Sequence, residues 1–138
     1  MENGIAKFMQ KFGAGYVRYF NNKHNRVGGL FQGRFKAVLV DNEQYLLYLL
    51  VYINVINPGQ LAEPNLKEDG VKNIPKVLNF AEEFLWGTHQ EYIGKRNSII
   101  IEKGIFGELL PTIESYRELV ENVLRDKKYL EVDHLFLE

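Results

Sequence analysis

Between Ile5 and Phe20 the apolar residues Ile5, Phe8, Met9, Phe12, Tyr16, Tyr19 and Phe20 recur at spacings of three and four, which predicts a helix with one apolar face. Lys7, Lys11 and Arg18 fall largely on its other side. Gly13 and Gly15 weaken such a helix by roughly 1 kcal/mol each relative to Ala, so its middle is a place to bend or to let another backbone come close. The turn-rich run 21–29, NNKHNRVGG, ends it. Over 30–40, LFQGRFKAVLV, the period changes to two, with Phe31, Phe35, Ala37 and Leu39 pointing one way and Gln32, Arg34 and Lys36 the other. That alternation predicts a strand with one wet, cationic face.

Asp41 or Asn42 can cap the next element, 45–56, YLLYLLVYINVI, which is apolar nearly all round. Its length and its Leu and Tyr content predict a buried helix, stopped by Asn57, Pro58 and Gly59. Residues 59–79 read as a surface connection with at most a short helix. The stretch 80–93 reads as a helix interrupted at Gly87 and anchored to the core by Trp86. Thr112, after Pro111, can cap a final amphipathic helix with Ile113, Tyr116, Leu119, Val120, Val123 and Leu124 on one face.

Composition narrows the classes without choosing among them. The 138 residues are 46% hydrophobic and 25% charged, which suits a folded chain and not a disordered or low-complexity one. No run is long and apolar enough to span a membrane and the start lacks a signal-peptide pattern, so the expected setting is cytoplasmic, with no membrane partner. With zero cysteines there is no disulfide, thiolate metal site or cysteine nucleophile. The net charge of −1 hides an asymmetry: residues 1–40 hold seven Lys or Arg against one Glu, while the rest hold ten basic and seventeen acidic residues. A basic front on an acidic body suits either a polyanion or simply a solvated helix face.

His24, His89 and His134 show no metal-ligand spacing, no glycine pattern matches a phosphate loop, and neither serine has a histidine nearby. Tyr45, Tyr48 and Tyr52 share one helix face. Such rings either pack in the core or include a nucleophile, since a phenol can attack a phosphodiester and hold the DNA end as a phosphotyrosine.

Three linked motifs add to this reading: Tyr16, Tyr19, Phe20 and Asn21 at a helix end; Leu-Phe-Gln-Gly-Arg-Phe-Lys at 30–36; and Tyr52-Ile53 leading to Asn57-Pro58. With Trp86-Gly87-Thr88 and Tyr92-Ile93-Gly94, they resemble the carboxy-terminal portion of the REP-associated tyrosine transposases, within the insertion-sequence-200-like family, over roughly residues 4–97. The resemblance implies an α+β fold: a partial ferredoxin-like transposase domain (helix, strand, tyrosine helix) over 1–58, then a mostly helical tail over 59–138. It implies cleavage and rejoining of single-stranded, hairpin-flanked DNA with a divalent metal, Mg²⁺ or Mn²⁺. Tyr52 then maps to the nucleophile and Asn57 to the polar partner near the metal. Lys23, Arg26, Gln32, Arg34 and Lys36, with the rings of Tyr16 and Tyr19, are the expected DNA contacts.

Two departures qualify the match. The family's His-hydrophobic-His pair is absent, so the expectation is a truncated transposase, inactive alone, that lacks its main metal ligands. A homodimer, or a complement carrying the amino-terminal half, is the expected partner. The alternatives are a non-catalytic DNA-binding or assembly module and a transposase remnant. In addition, the family separates the tyrosine and asparagine by four positions, whereas Tyr52 and Asn57 are five apart. Five residues of α-helix carry Asn57 off the tyrosine face; a one-turn π-bulge would absorb the extra residue.

Overall fold

The computed structural model describes residues 4–126. The chain divides into two compact units, Met1–Val38 and Leu39–Glu138. Among the described residues every regular element is a helix and no strand forms, which overturns the expected α+β, partial ferredoxin-like fold.

In the first unit the apolar spacing does produce a helix, α1 (Gly4–Lys23), yet none of its residues is buried. Its rings meet one another instead: Phe8 stacks on Phe12 at 5.9 Å, and Tyr16 lies 6.2 Å from both Phe20 and Phe31. Beyond α1, Asn25 takes φ 49, a left-handed conformation that asparagine tolerates, and the Asn21 side chain donates to the Gly28 carbonyl at 2.9 Å. The expected strand over 30–40 is irregular, with residues 31–40 exposed and Gly33 at φ 79 breaking the extended run. Alternation alone cannot make a strand: its backbone N–H and C=O groups need a second extended segment, and none is present among the described residues.

The second unit has a core. Asn42 caps α2 (Glu43–Val51), its Oδ1 accepting from the Tyr45 N–H at 2.7 Å. The helix then widens into a π turn, Tyr52–Ile56, and returns to α-geometry in α3 (Asn57–Gly59). It therefore continues through Asn57 and Pro58 and ends at Gly59, three residues later than the expected 45–56. Short α4 (Leu66–Asp69) precedes α5 (Ile74–Glu83), which is capped by Asn73 and carries Pro75 in its first turn. Helix thus begins inside the stretch read as a surface connection. Gly59 lets α3 and α5 meet, because a Cβ there would sit 2.8 Å from Val77 Cγ1.

After α5 the chain turns through 84–88 into α6 (His89–Tyr92). Arg96 holds this turn: its guanidinium pairs with the buried Glu91 carboxylate at 2.6 and 2.8 Å and donates to the Leu85 and Gly87 carbonyls at 2.9 and 2.5 Å. The hydrogen bond from Arg96 holds the Glu91 carboxyl below its ordinary range. Trp86, expected to anchor the core, is 90% exposed on this turn. Residues 99–101 form no regular element, and α7 (Ile105–Leu109) leads to α8 (Ile113–Arg125). Thr112 and Ser115 form a reciprocal capping box at its start, and Tyr116, Val120, Val123 and Leu124 are buried. These side chains join Val51, Val55, Ile56, Leu66, Val77 and Tyr92 in one apolar cluster. No described helix is long and apolar enough to cross a membrane.

Candidate functional site

The tyrosine face of α2 divides by depth. Tyr48 is 3% exposed and belongs to the core, whereas Tyr52, 5.9 Å away ring to ring, is only partly buried and keeps a polar environment at its hydroxyl. Tyr52 opens the π turn. There the Asn57 N–H donates to the Tyr52 carbonyl, an i to i+5 bond in place of i to i+4. A π turn takes five residues to advance about as far as four in an α-helix, roughly 400°. The residue-five spacing thus returns Asn57 to the side of the helix that bears Tyr52. Asn57 is exposed, and its Oδ1 accepts from Gln60 Nε2 at 3.1 Å.

Asn54 braces this turn from inside. It is buried, donates through Nδ2 to the Leu50 carbonyl at 3.0 Å, and accepts from the Thr88 N–H and hydroxyl at 2.7 and 2.9 Å. Every hydrogen-bonding direction it uses points at a backbone or side-chain partner, as a buried amide requires. Gly87 allows the approach, since a Cβ there would lie 3.3 Å from Asn54 Oδ1.

Lys67, in α4, completes the site. Its ammonium donates to the Tyr52 hydroxyl at 2.5 Å and lies 4.3 Å from the centre of the same ring. Neither Asn54 nor Lys67 figured in the sequence reading. For Asn54 there was a signal, a polar residue within an otherwise apolar run. For Lys67 there was none, because it lies fifteen residues on, in the stretch read as a connection.

The expected DNA contacts lie in the first unit, where Tyr16, Tyr19, Lys23, Arg26, Gln32, Arg34 and Lys36 are all exposed. Gln32, Arg34 and Lys36 share no strand face, since no strand forms there. At the end of α1, Lys23 lies 5.6 Å from the Tyr19 ring and Arg26 lies 5.8 Å from that of Phe20, so cations and ring faces are adjacent. The histidines have other surroundings. His24 packs its ring 4.3 Å from Phe20, while His89 is buried and bonds Tyr116 through Nδ1 at 2.8 Å. Burial pushes His89 down to about 4 and the Tyr116 hydroxyl well up. His134 lies outside the described residues.

The metal that the resemblance implies is Mg²⁺ or Mn²⁺. Such ions take several oxygen ligands in a tight shell, Asn57 offers one amide oxygen, and no group of three or more His, Asp or Glu side chains converges among the described residues. Comparison with known proteins adds no relative: no protein-family model, curated protein or solved structure matches the chain.

Proposed function

We propose that the chain is a member of the REP-associated tyrosine transposases, carrying the nucleophile of a site that cuts and rejoins single-stranded DNA. The observation that supports this most is the π turn, which absorbs the extra residue between Tyr52 and Asn57 and restores the shared face that the family's spacing needs. In the proposed reaction Tyr52 Oη forms a bond to phosphorus while the bond from phosphorus to a deoxyribose oxygen breaks. The phenol proton ends on the departing sugar hydroxyl. The phosphotyrosine keeps the ester bond, so a second sugar hydroxyl can reverse the exchange and join strands.

The chain contains no His-hydrophobic-His pair, so the reading assigns that pair to a partner polypeptide. The test incubates the full chain and labelled hairpin-flanked single-stranded DNA in Mg²⁺ or Mn²⁺, with and without a polypeptide bearing the pair, and resolves covalent adducts on a denaturing gel. An adduct that requires the added polypeptide and is lost in Tyr52→Phe is the expected result. An adduct that survives Tyr52→Phe overturns the reading.

A second reading, DNA binding without chemistry, draws on a different observation: all seven expected DNA contacts belong to the first unit, whereas Tyr52 and Asn57 belong to the second. If Lys23, Arg26, Arg34 and Lys36 each neutralise one phosphate of a single strand, log affinity falls with log salt at a slope of about −2.8. This reading expects that slope with no adduct under any condition.

A further inference from the structure

We infer that Lys67 is a catalytic residue of the tyrosine site, holding the negative charge that gathers on Tyr52 Oη when the phosphotyrosine bond breaks. The inference rests on the proposed nucleophilic role of Tyr52 and adds a residue to it. Two contacts place the ammonium: a hydrogen bond of 2.5 Å to the hydroxyl oxygen and a position 4.3 Å from the ring centre. A lysine serving only packing lays its stem on apolar surface and sends its head into water. Here the stem belongs to a half-buried residue next to fully buried Leu66, and the head reaches the Tyr52 hydroxyl.

That oxygen is the atom at which charge changes in both directions of the reaction. During attack, Lys67 occupies one lone pair of Oη and so orients the other toward phosphorus. During rejoining, the incoming sugar hydroxyl bonds to phosphorus, the bond from phosphorus to Oη breaks, and the phenolate departs beside a fixed cation. The sugar's proton ends on the phenol, so the exchange balances without any further reactant. A preplaced donor at the atom where charge develops is worth more than one that must reorganise to reach it. The π turn and α4 supply that placement, because Tyr52 opens the one and Lys67 lies in the other.

The test isolates phosphorus attack by using an activated probe, a thymidine p-nitrophenyl phosphodiester, whose leaving group departs without assistance. With Mg²⁺ and the polypeptide bearing the His-hydrophobic-His pair present, the full wild-type chain is expected to release one equivalent of nitrophenolate, with mass spectrometry finding the thymidylyl group on Tyr52. Lys67→Met should slow this burst about a hundredfold with helical content and melting unchanged, and Lys67→Arg, which keeps the charge but not the compact ammonium, should recover only part of the rate. A Tyr52-labelled burst at the wild-type rate in Lys67→Met overturns the role of Lys67 and leaves that of Tyr52 standing. No burst in wild type with that polypeptide and Mg²⁺ present, or a label that persists in Tyr52→Phe, overturns the nucleophile and Lys67 with it.

Discussion

α1 and α8 begin from the same kind of pattern and end differently. Both place apolar residues at helical spacing, yet α8 buries Tyr116, Val120, Val123 and Leu124 while the longer α1 buries nothing. Phe8 and Phe12 in the first unit are 63% and 58% exposed, whereas Leu66 and Val55 in the second are fully enclosed. Periodicity therefore says which face of a helix is apolar and leaves open whether anything covers it. In the second unit several short helices close around that face; among the described residues the first unit has one helix and one irregular segment, and its rings stack on one another.

The most direct way to break this contrast is truncation on each side of it. Leu66→Ala should destabilise the protein by about 2–5 kcal/mol in urea unfolding, through lost burial and the cavity left behind. Phe8→Ala should stay within about 0.5 kcal/mol. Comparable losses would mean that α1 is packed after all. A somewhat smaller effect depends on pH. His89 stays neutral in the fold down to about 4, while in the unfolded chain it takes up a proton near 6.5. The unfolded state thus binds more protons between those values, and stability rises with pH across them. It is full above about 6.5 and falls by up to about 3 kcal/mol as pH drops toward 4. His89→Gln should flatten this window. Glu82 and Glu91, held below 4.5 by hydrogen bonds from Lys95 and Arg96, lose their contribution only at lower pH. The smallest effect sharpens the contrast at a helix end. Thr112→Ala removes the capping box of α8 and should cost about 1 kcal/mol by thermal melting.

Local features were legible residue by residue. The spacing from Ile5 to Phe20 identified α1, Thr112 identified the start of α8, and Asn42 was one of two caps foreseen for α2. The spacing of Tyr52 and Asn57 even showed what a π turn would have to accomplish, and the helix does widen at those residues. The strand over 30–40 and the buried Trp86 were misread for a common reason. A strand requires a partner and an indole requires a covering surface, and neither requirement is visible in ten residues of sequence. Lys67 was invisible for the same reason.

By itself the sequence determined α1 and the capped starts of α2 and α8, which of their faces are apolar and which tyrosine stands five residues before an asparagine, because those properties depend on neighbours within about one turn. Only the tertiary structure decided that α1 stays open, that no strand forms among the described residues, that Asn54 ties the π turn to Thr88 and that Lys67 reaches Tyr52. The last two depend on contacts across thirty-four and fifteen positions of chain, and the energy of such a contact belongs to both partners at once.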